Sequence, residues 1–121
     1  INFFFFSEAY DFVKKQWFTV QTTGDYVPPF AYGSGTMMRE NLWIFGGNEK
    51  ITGDAPRSDL FVLSLVDEYE WSKAIPVTAE KPTGRFFSAV QTDPSHSSCF
   101  IFGGYGNNKI FANTWNFYVL Q

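Results

Sequence analysis

The chain has 121 residues, of which 45% are hydrophobic and 21% aromatic, and its formal net charge is -3. This length fits one domain or part of one, and the hydrophobic content excludes a disordered polymer. The acidic balance with scattered basic residues disfavours nucleic-acid binding, and no stretch approaches the roughly 20 apolar residues that cross a bilayer.

The first predicted elements are two strands within residues 1–20. An aromatic-rich run follows the amide side chain of Asn2, and the second strand carries Trp17. Residues 8–17 have a competing interpretation, because their apolar residues also fit the spacing of a short helix. A hairpin turn is the alternative, and no other helix is predicted.

Four more strands are predicted in residues 31–75, which would form one complete antiparallel unit. Aromatic and β-branched residues dominate these runs, and Gly, Pro, Asn and Asp bound them. Residues 85–121 then repeat the first three strands of the unit. The sequence therefore predicts an all-β fold. The strands of the complete unit are a near 31–38, b near 41–47, c near 59–65 and d near 70–75.

The glycine pair that ends strand b recurs along the chain. Trp43-Ile44-Phe45-Gly46-Gly47 returns as Phe100-Ile101-Phe102-Gly103-Gly104, 57 positions later. Self-similarity at a period of about 50 residues is typical of propeller blades and related repeats. Glycine permits positive φ and close approach of a neighbouring backbone, so we expect both pairs at crowded junctions between units.

Other landmarks recur at a similar spacing. Trp17 and Trp71 stand 54 positions apart, and we expect both to pack against neighbouring sheets. At the same shift Pro28–Ser34 aligns with Pro82–Ser88, with Pro on Pro and Ser on Ser. An Asn or Asp also precedes an aromatic-rich strand three times, at Asn2, Asp59 and Asn113.

The ordered set of Pro-x-x-Arg-x-x-Ser, a strand ending in Gly-Gly, an Asn/Asp-x-aromatic strand and a Trp after an acidic turn resembles the kelch repeat. This resemblance covers almost the whole chain and implies four-stranded blades of a β-propeller. The chain departs from the pattern where Ala31 aligns with Arg85, and where the last copy stops after strand c. The implied blades are strands c and d in 1–20, a complete blade in 31–75 and strands a to c in 85–121.

A closed propeller needs about 4 to 8 blades, and this chain supplies roughly two. We therefore expect a piece of a longer chain whose remaining blades complete an otherwise incomplete ring. Copies of the chain that close a ring together, and a small open-sheet protein, are the alternatives.

Chemistry-bearing motifs are scarce. His96 and Cys99 form a two-ligand pair that falls short of a zinc site, and the acidic run at 67–70 is typical of a solvated turn. The glycines at 103–106 precede a strand instead of the helix that a phosphate loop needs. No catalytic residue, metal or cofactor is predicted. The single cysteine favours a reducing compartment, and hence the cytoplasm.

The resemblance implies a non-catalytic scaffold that binds a partner protein through the b–c and d–a loops. These loops are 48–57 and 105–112, and 20–30 and 76–84. Kelch adaptors contact partners through Arg and Ser near the start of strand a, which points to Arg85 and Ser88. Arg85 could instead pair with an acid of the next blade. Loop position adds Arg57, Lys50, Tyr105 and Asn108. The alternative is a kelch-type oxidase, specifier protein or sugar epimerase whose active site lies mostly elsewhere.

Overall fold

The computed structural model describes residues 7–50, 52–66 and 68–119, and within these ranges the fold is all-β without a helix, as predicted. The strands form four separate sheets, none of which closes on itself among the described residues. The strands are β1 (Ser7–Asp11), β2 (Gln16–Val20), β3 (Thr23–Gly24), β4 (Ser34–Met38), β5 (Asn41–Phe45), β6 (Leu60–Ser64), β7 (Glu70–Lys73), β8 (Ala89–Thr92), β9 (Ser98–Phe102), β10 (Tyr105–Gly106), β11 (Lys109–Ile110) and β12 (Thr114–Tyr118).

Strands β1 and β2 form a hairpin, so the helical alternative for residues 8–17 is wrong. They pair antiparallel from Ser7 opposite Val20 to the turn, where the Asp11 carboxylate accepts hydrogen bonds from two backbone amides at 2.8 and 3.0 Å. Such a local carboxylate contact favours a turn over a helix. The strand predicted after Asn2 lies outside the described residues.

Within the described residues, the predicted packing of Trp17 against a neighbouring sheet is not found. Its side chain is 69% exposed, and its ring contacts Tyr10 of the same hairpin, with the ring centroids 5.3 Å apart. Trp71 is half-buried on β7. A cross-strand aromatic pair therefore accounts for Trp17 in this structure.

The largest sheet has the order β3-β7-β6-β5-β4. Strands β4 to β7 lie close to the predicted positions a to d and pair antiparallel in sequence order. Strand β3 was not predicted: it pairs parallel with the start of β7, and the carboxylate of Asp25 accepts a hydrogen bond from the Lys73 amide at 2.8 Å. It covers an edge of the sheet that would otherwise present unpaired backbone groups.

Strands β8, β9 and β12 form a second sheet, and its strand β8 lies beside β4 of the first. The hydroxyls of Thr36 and Thr92 join the two strands at 2.8 Å. Beneath this contact the Cys99 thiol lies 3.6 Å from the sulfur of Met38, and the ring of Trp43 packs on Phe117. The core therefore lies between the two larger sheets.

Both glycine pairs adopt the positive φ that the sequence predicts. Gly46 and Gly47 have φ of 72° and 107°, and Gly103 and Gly104 have 69° and 110°. A Cβ on Gly46 would overlap the carbonyl oxygen of Arg85, which belongs to the next repeat of the pattern. The expected close approach of a neighbouring backbone is therefore confirmed at Gly46.

The alignment of the two repeats by 54 positions is wrong by one residue around strand a. Tyr32 and Phe87 share a left-handed backbone, with φ of 61° and 60°. Their preceding residues make the same bridges after the glycine pairs, Ala31 with Asn48 and Phe86 with Tyr105. These matches require a shift of 55, because backbone pairing and not side-chain identity defines the register. Phe30, and not Ala31, therefore occupies the position of Arg85, and Gly33 that of Ser88.

Candidate interaction surface

The loops after the two glycine pairs lie side by side, and we call residues 46–50, 52–59 and 103–113 the loop face. The backbone amide of Asn108 donates to the carboxylate of Asp54 at 3.4 Å. Gly106 also packs closely on Pro56, because an added Cβ would lie 3.1 Å from carbons of the proline ring. The sequence-predicted b–c loops therefore form one continuous surface.

The buried side chain of Asn48 holds the first of these loops in shape. Its amide nitrogen donates to the carbonyls of Lys50 and Gly53 at 2.9 and 3.0 Å, and its oxygen accepts from the Ala55 amide at 2.6 Å. The Asn48 side chain thus donates two hydrogen bonds and accepts one, and these satisfy backbone groups of the loop. Lys50 is thus exposed on a loop of defined geometry.

A compact ion cluster lies at the end of the first loop. The guanidinium of Arg57 pairs with Glu49 and Asp59, and the ammonium of Lys73 lies 3.1 Å from Asp59. The cluster borders an open depression of about 310 Å³. The Arg57 side chain is 14% exposed and its charge is paired within the loop face, and partner contact by Arg57 stays a prediction.

The charges of this cluster determine the protonation of Asp59. Burial alone raises the pKa of its carboxyl, but the hydrogen bonds and positive charges of Lys73 and Arg57 outweigh burial and hold the pKa below its ordinary value of 3.8. Asp59 is therefore charged at neutral pH and completes the cluster as an anion.

Arg85 is buried, with 1% of its surface exposed. Its guanidinium donates to the carbonyl of Thr83 at 3.0 Å, to the side-chain oxygen of Asn113 at 2.8 Å and to the carbonyl of Gly103 at 3.3 Å. The ring of Phe111 lies 3.9 Å from its central carbon. Burial lowers the pKa of Arg85, but an arginine stays protonated in proteins.

The structure therefore places Arg85 inside the second repeat, not on its surface. All the acceptors of its hydrogen bonds are uncharged oxygens. The predicted alternative, a carboxylate partner on the next blade, is therefore not found among the described residues. Ser88 is also buried and donates to the Gly103 carbonyl at 3.1 Å. Both side chains position the second loop, and direct partner contact by them stays a prediction.

The two repeats exchange an arginine and a phenylalanine at matching positions. The amides of Arg57 and Phe111 make the same hydrogen bond, to Gly47 at 2.8 Å and to Gly104 at 2.9 Å. Phe30 in turn occupies the position of Arg85. The first repeat thus has Phe30 before β4 and Arg57 on the loop, whereas the second has Arg85 before β8 and Phe111 on the loop. The sequence concealed this exchange because it is visible only in the corrected register.

Tyr105 and Asn108 lie on the ribbon of β10 and β11. Asn107 and Asn108 form its two-residue turn with φ of 51° and 60°, which asparagine tolerates well. The hydroxyl of Tyr105 donates to the side-chain oxygen of Asn108 at 3.2 Å. Of the six predicted binding residues, Lys50 and Asn108 are exposed, Tyr105 and Arg57 are partly buried, and Arg85 and Ser88 are buried.

No protein-family model matches the chain, and no curated protein shows significant similarity to it. Function is therefore inferred from the geometry of the described residues.

Sequence reasoning missed a cluster of four rings, Tyr32, Phe86, Phe87 and Tyr105, which we call the aromatic platform. Phe86 is buried at its centre, with ring centroids 4.9 Å from Phe87, 6.0 Å from Tyr32 and 5.4 Å from Tyr105. Tyr32 and Phe87, 4.5 Å apart, remain 53% and 61% exposed. The sequence shows the adjacent pair Phe86-Phe87. It does not show that Tyr32, 55 positions before Phe87, packs against this pair.

The backbone beneath the two exposed rings is strained. Positive φ is uncommon for bulky residues and costs on the order of 1 to 3 kcal/mol at each position. Tyr32 and Phe87 both have this conformation, and the Phe87 amide donates to the Tyr32 carbonyl at 3.1 Å. Tyr32 and Phe87 thus share one uncommon backbone conformation at matching positions of the two repeats.

The remaining chemical motifs do not form a site in the described part of the chain. There, no group of three or more His, Cys, Asp or Glu side chains could hold a metal ion. Burial raises the pKa of the Cys99 thiol, and His96 lies apart from it in an exposed turn. The described residues also contain no helix long and apolar enough to cross a membrane. Asp67 of the acidic run lies outside the described residues.

Proposed function

We propose that this chain contributes kelch-like blades to a β-propeller and acts there as a non-catalytic scaffold for a partner protein. Remaining blades, from the same chain or from other copies, would complete the ring. The single cysteine fits a protein that works in the cytoplasm. The proposed contact surface is the loop face, formed by residues 46–50, 52–59 and 103–113.

The observation that carries this proposal is the continuity of the loop face across two repeats. Asn108 bonds to Asp54, and Gly106 packs on Pro56, so the loops support each other. Loops held on a rigid β scaffold commonly carry binding functions. The residues that hold them, Asn48 and Arg85, are buried.

Within this surface, the exposed Lys50 and Asn108 are the proposed contacts. The proposal gives an indirect role to Arg57, Arg85 and Ser88, which hold the loops in position through their own contacts within the chain. This division differs from the contact pattern that the family resemblance implies, where the arginine and serine of strand a contact the partner directly.

Charge reversal at Lys50 tests the loop face. Proteins captured by the tagged chain from a cell extract should be quantified by mass spectrometry for the wild type and for Lys50→Glu. We expect the recovery of at least one specific partner to fall several-fold, because a rim charge affects the encounter of two proteins.

Lys14→Glu is the matched control, because Lys14 is exposed on the β1–β2 turn outside the loop face. Its capture profile should equal that of the wild type. Equal recovery of every specific partner by wild type and Lys50→Glu, or an equal loss with Lys14→Glu, would contradict the proposal.

A further inference from the structure

We infer that the aromatic platform binds a proline-rich segment of the partner protein. This inference rests on the proposed function in one respect, namely that the partner is a protein. It assigns a role to Tyr32 and Phe87, which neither the repeat pattern nor the loop positions indicated.

Exposure and strain together carry the first step. A ring in the core can compensate for backbone strain by packing, but Tyr32 and Phe87 are each more than half exposed. Glycine would adopt their φ of 61° and 60° without strain. Strained residues cluster at ligand sites. The observed side chains at both positions therefore point to a use of the rings themselves.

The charge distribution around the platform favours an uncharged ligand. Residues 26–38 and 82–92, which carry three of the four rings, contain a single charged residue, Arg85, and this side chain is buried. The platform thus offers apolar ring faces without an exposed ion from these segments. An uncharged apolar segment complements such a surface better than an acidic or basic one.

Proline-rich peptides meet these requirements. They hold an extended polyproline II helix without internal hydrogen bonds, lose little entropy on binding and dock on surfaces lined by aromatic rings. Tyr32 and Phe87 lie 4.5 Å apart, close enough for both to contact neighbouring proline rings. The hydroxyl of Tyr32 adds a donor for a free peptide carbonyl.

The test uses the 121-residue chain and a fluorescein-labelled peptide of ten prolines, measured by fluorescence polarisation. We expect saturable binding to the wild type and a loss of at least about tenfold in the variant Tyr32→Gly/Phe87→Gly, which corresponds to removing a binding hot spot. Because glycine relieves the backbone strain, the variant should lose binding without unfolding at room temperature.

Two further variants keep the result interpretable. Phe12→Gly removes an exposed ring from the β1–β2 turn, outside the platform, and should bind as the wild type does. Phe87→Asn removes one ring and introduces a residue that tolerates positive φ. This variant should bind decaproline more weakly while its far-UV circular dichroism spectrum stays unchanged.

Absence of decaproline binding at 1 mM wild-type chain, or equal binding by the double glycine variant, would overturn the inference. Binding of maltohexaose without decaproline would also overturn it, and would identify a carbohydrate site. If decaproline fails while Lys50→Glu still reduces partner capture, the inference fails and the loop-face proposal stands. Decaproline binding that depends on the two rings supports the platform even if Lys50→Glu changes nothing.

Discussion

At the scale of single residues, Arg85 is a buried cation whose partners are backbone carbonyls, amide and hydroxyl oxygens and one ring. Burying a charge is costly unless hydrogen bonds surround it. These contacts join the segment that precedes β8 to Gly103 and Asn113 at the two ends of the second loop. Arg85 therefore stabilises the loop on which Tyr105 and Asn108 lie.

Replacement of this cation should be destabilising. For Arg85→Met we expect the free energy of unfolding to fall by about 2 to 4 kcal/mol, because the carbonyl of Gly103 and the side chain of Asn113 lose a buried donor. Urea denaturation measures the change. Lys109→Met, on the exposed strand β11, is the control and should change stability by less than about 0.5 kcal/mol. A change at Arg85 as small as that at Lys109 would refute the structural role.

The chemical type of Arg85 was visible in the sequence, but its environment was not. Its partner Asn113 is 28 positions away, and the contact exists only after strands β8, β9 and β12 align. The same limitation applies to Tyr32 and Phe87, whose left-handed backbone has no reliable sequence signal in bulky residues. Side-chain identity even misled the alignment, because Ser34 matches Ser88 in type but not in position.

At the scale of elements, the glycine pairs combine two separable requirements. Gly46 has positive φ and also faces the carbonyl of Arg85, whereas Gly53 has φ of 82° with no atom within 4 Å of an added Cβ. The first glycine lies at a junction between repeats, and the second lies in an open loop. The chain thus offers a matched pair of glycines that differ in crowding.

We expect Gly53→Ala to reduce the free energy of unfolding by about 1 to 2 kcal/mol, the cost of a left-handed conformation for an L-residue. Gly46→Ala should cost at least roughly 1 to 3 kcal/mol more, because the new methyl group overlaps the Arg85 carbonyl. Thermal and urea denaturation of both variants give the comparison. Equal losses would show that close approach at Gly46 contributes nothing beyond its φ.

Element prediction succeeded where the signal was local. The apolar runs before Gly46 and Gly103 and the strands β6 and β7 are recognisable from their own residues. Strand β3 could not be predicted, because it is only two residues long. Thr23 and Gly24 gain their strand geometry from pairing with Glu70 and Trp71. In short strands the partner, and not propensity, determines the conformation.

At the scale of the whole molecule, the contact between the two larger sheets depends on a small core. Cys99 is fully buried, 3.6 Å from Met38 of the other sheet and 3.7 Å from the hydroxyl of Thr92. Met38 and Cys99 are 61 positions apart, so this contact reports on the association of the repeats and not on local structure.

The thiol of Cys99 should therefore measure separation of the sheets. We expect its reaction with a disulfide reagent to be slow in the native protein, since burial hinders access and raises its pKa, and to accelerate with urea. Met38→Ala should increase the native rate by weakening the core. Met37→Ala, at the exposed neighbouring position, should not. Equal rates in native and denatured protein would exclude a closed contact.

Phe30 of the first repeat corresponds to Arg85 of the second, and Arg57 of the first corresponds to Phe111 of the second. This reciprocal exchange also constrains how segments of the two repeats can be recombined. A recombinant that joined the Phe30 segment to the Phe111 loop would hold two phenylalanines and leave Asn113 without its guanidinium. The opposite recombinant would bring the positions of Arg85 and Arg57 together, with two cations at one glycine pair. We therefore expect Arg85, Phe111 and Asn113 to be retained together when repeats of this kind recombine.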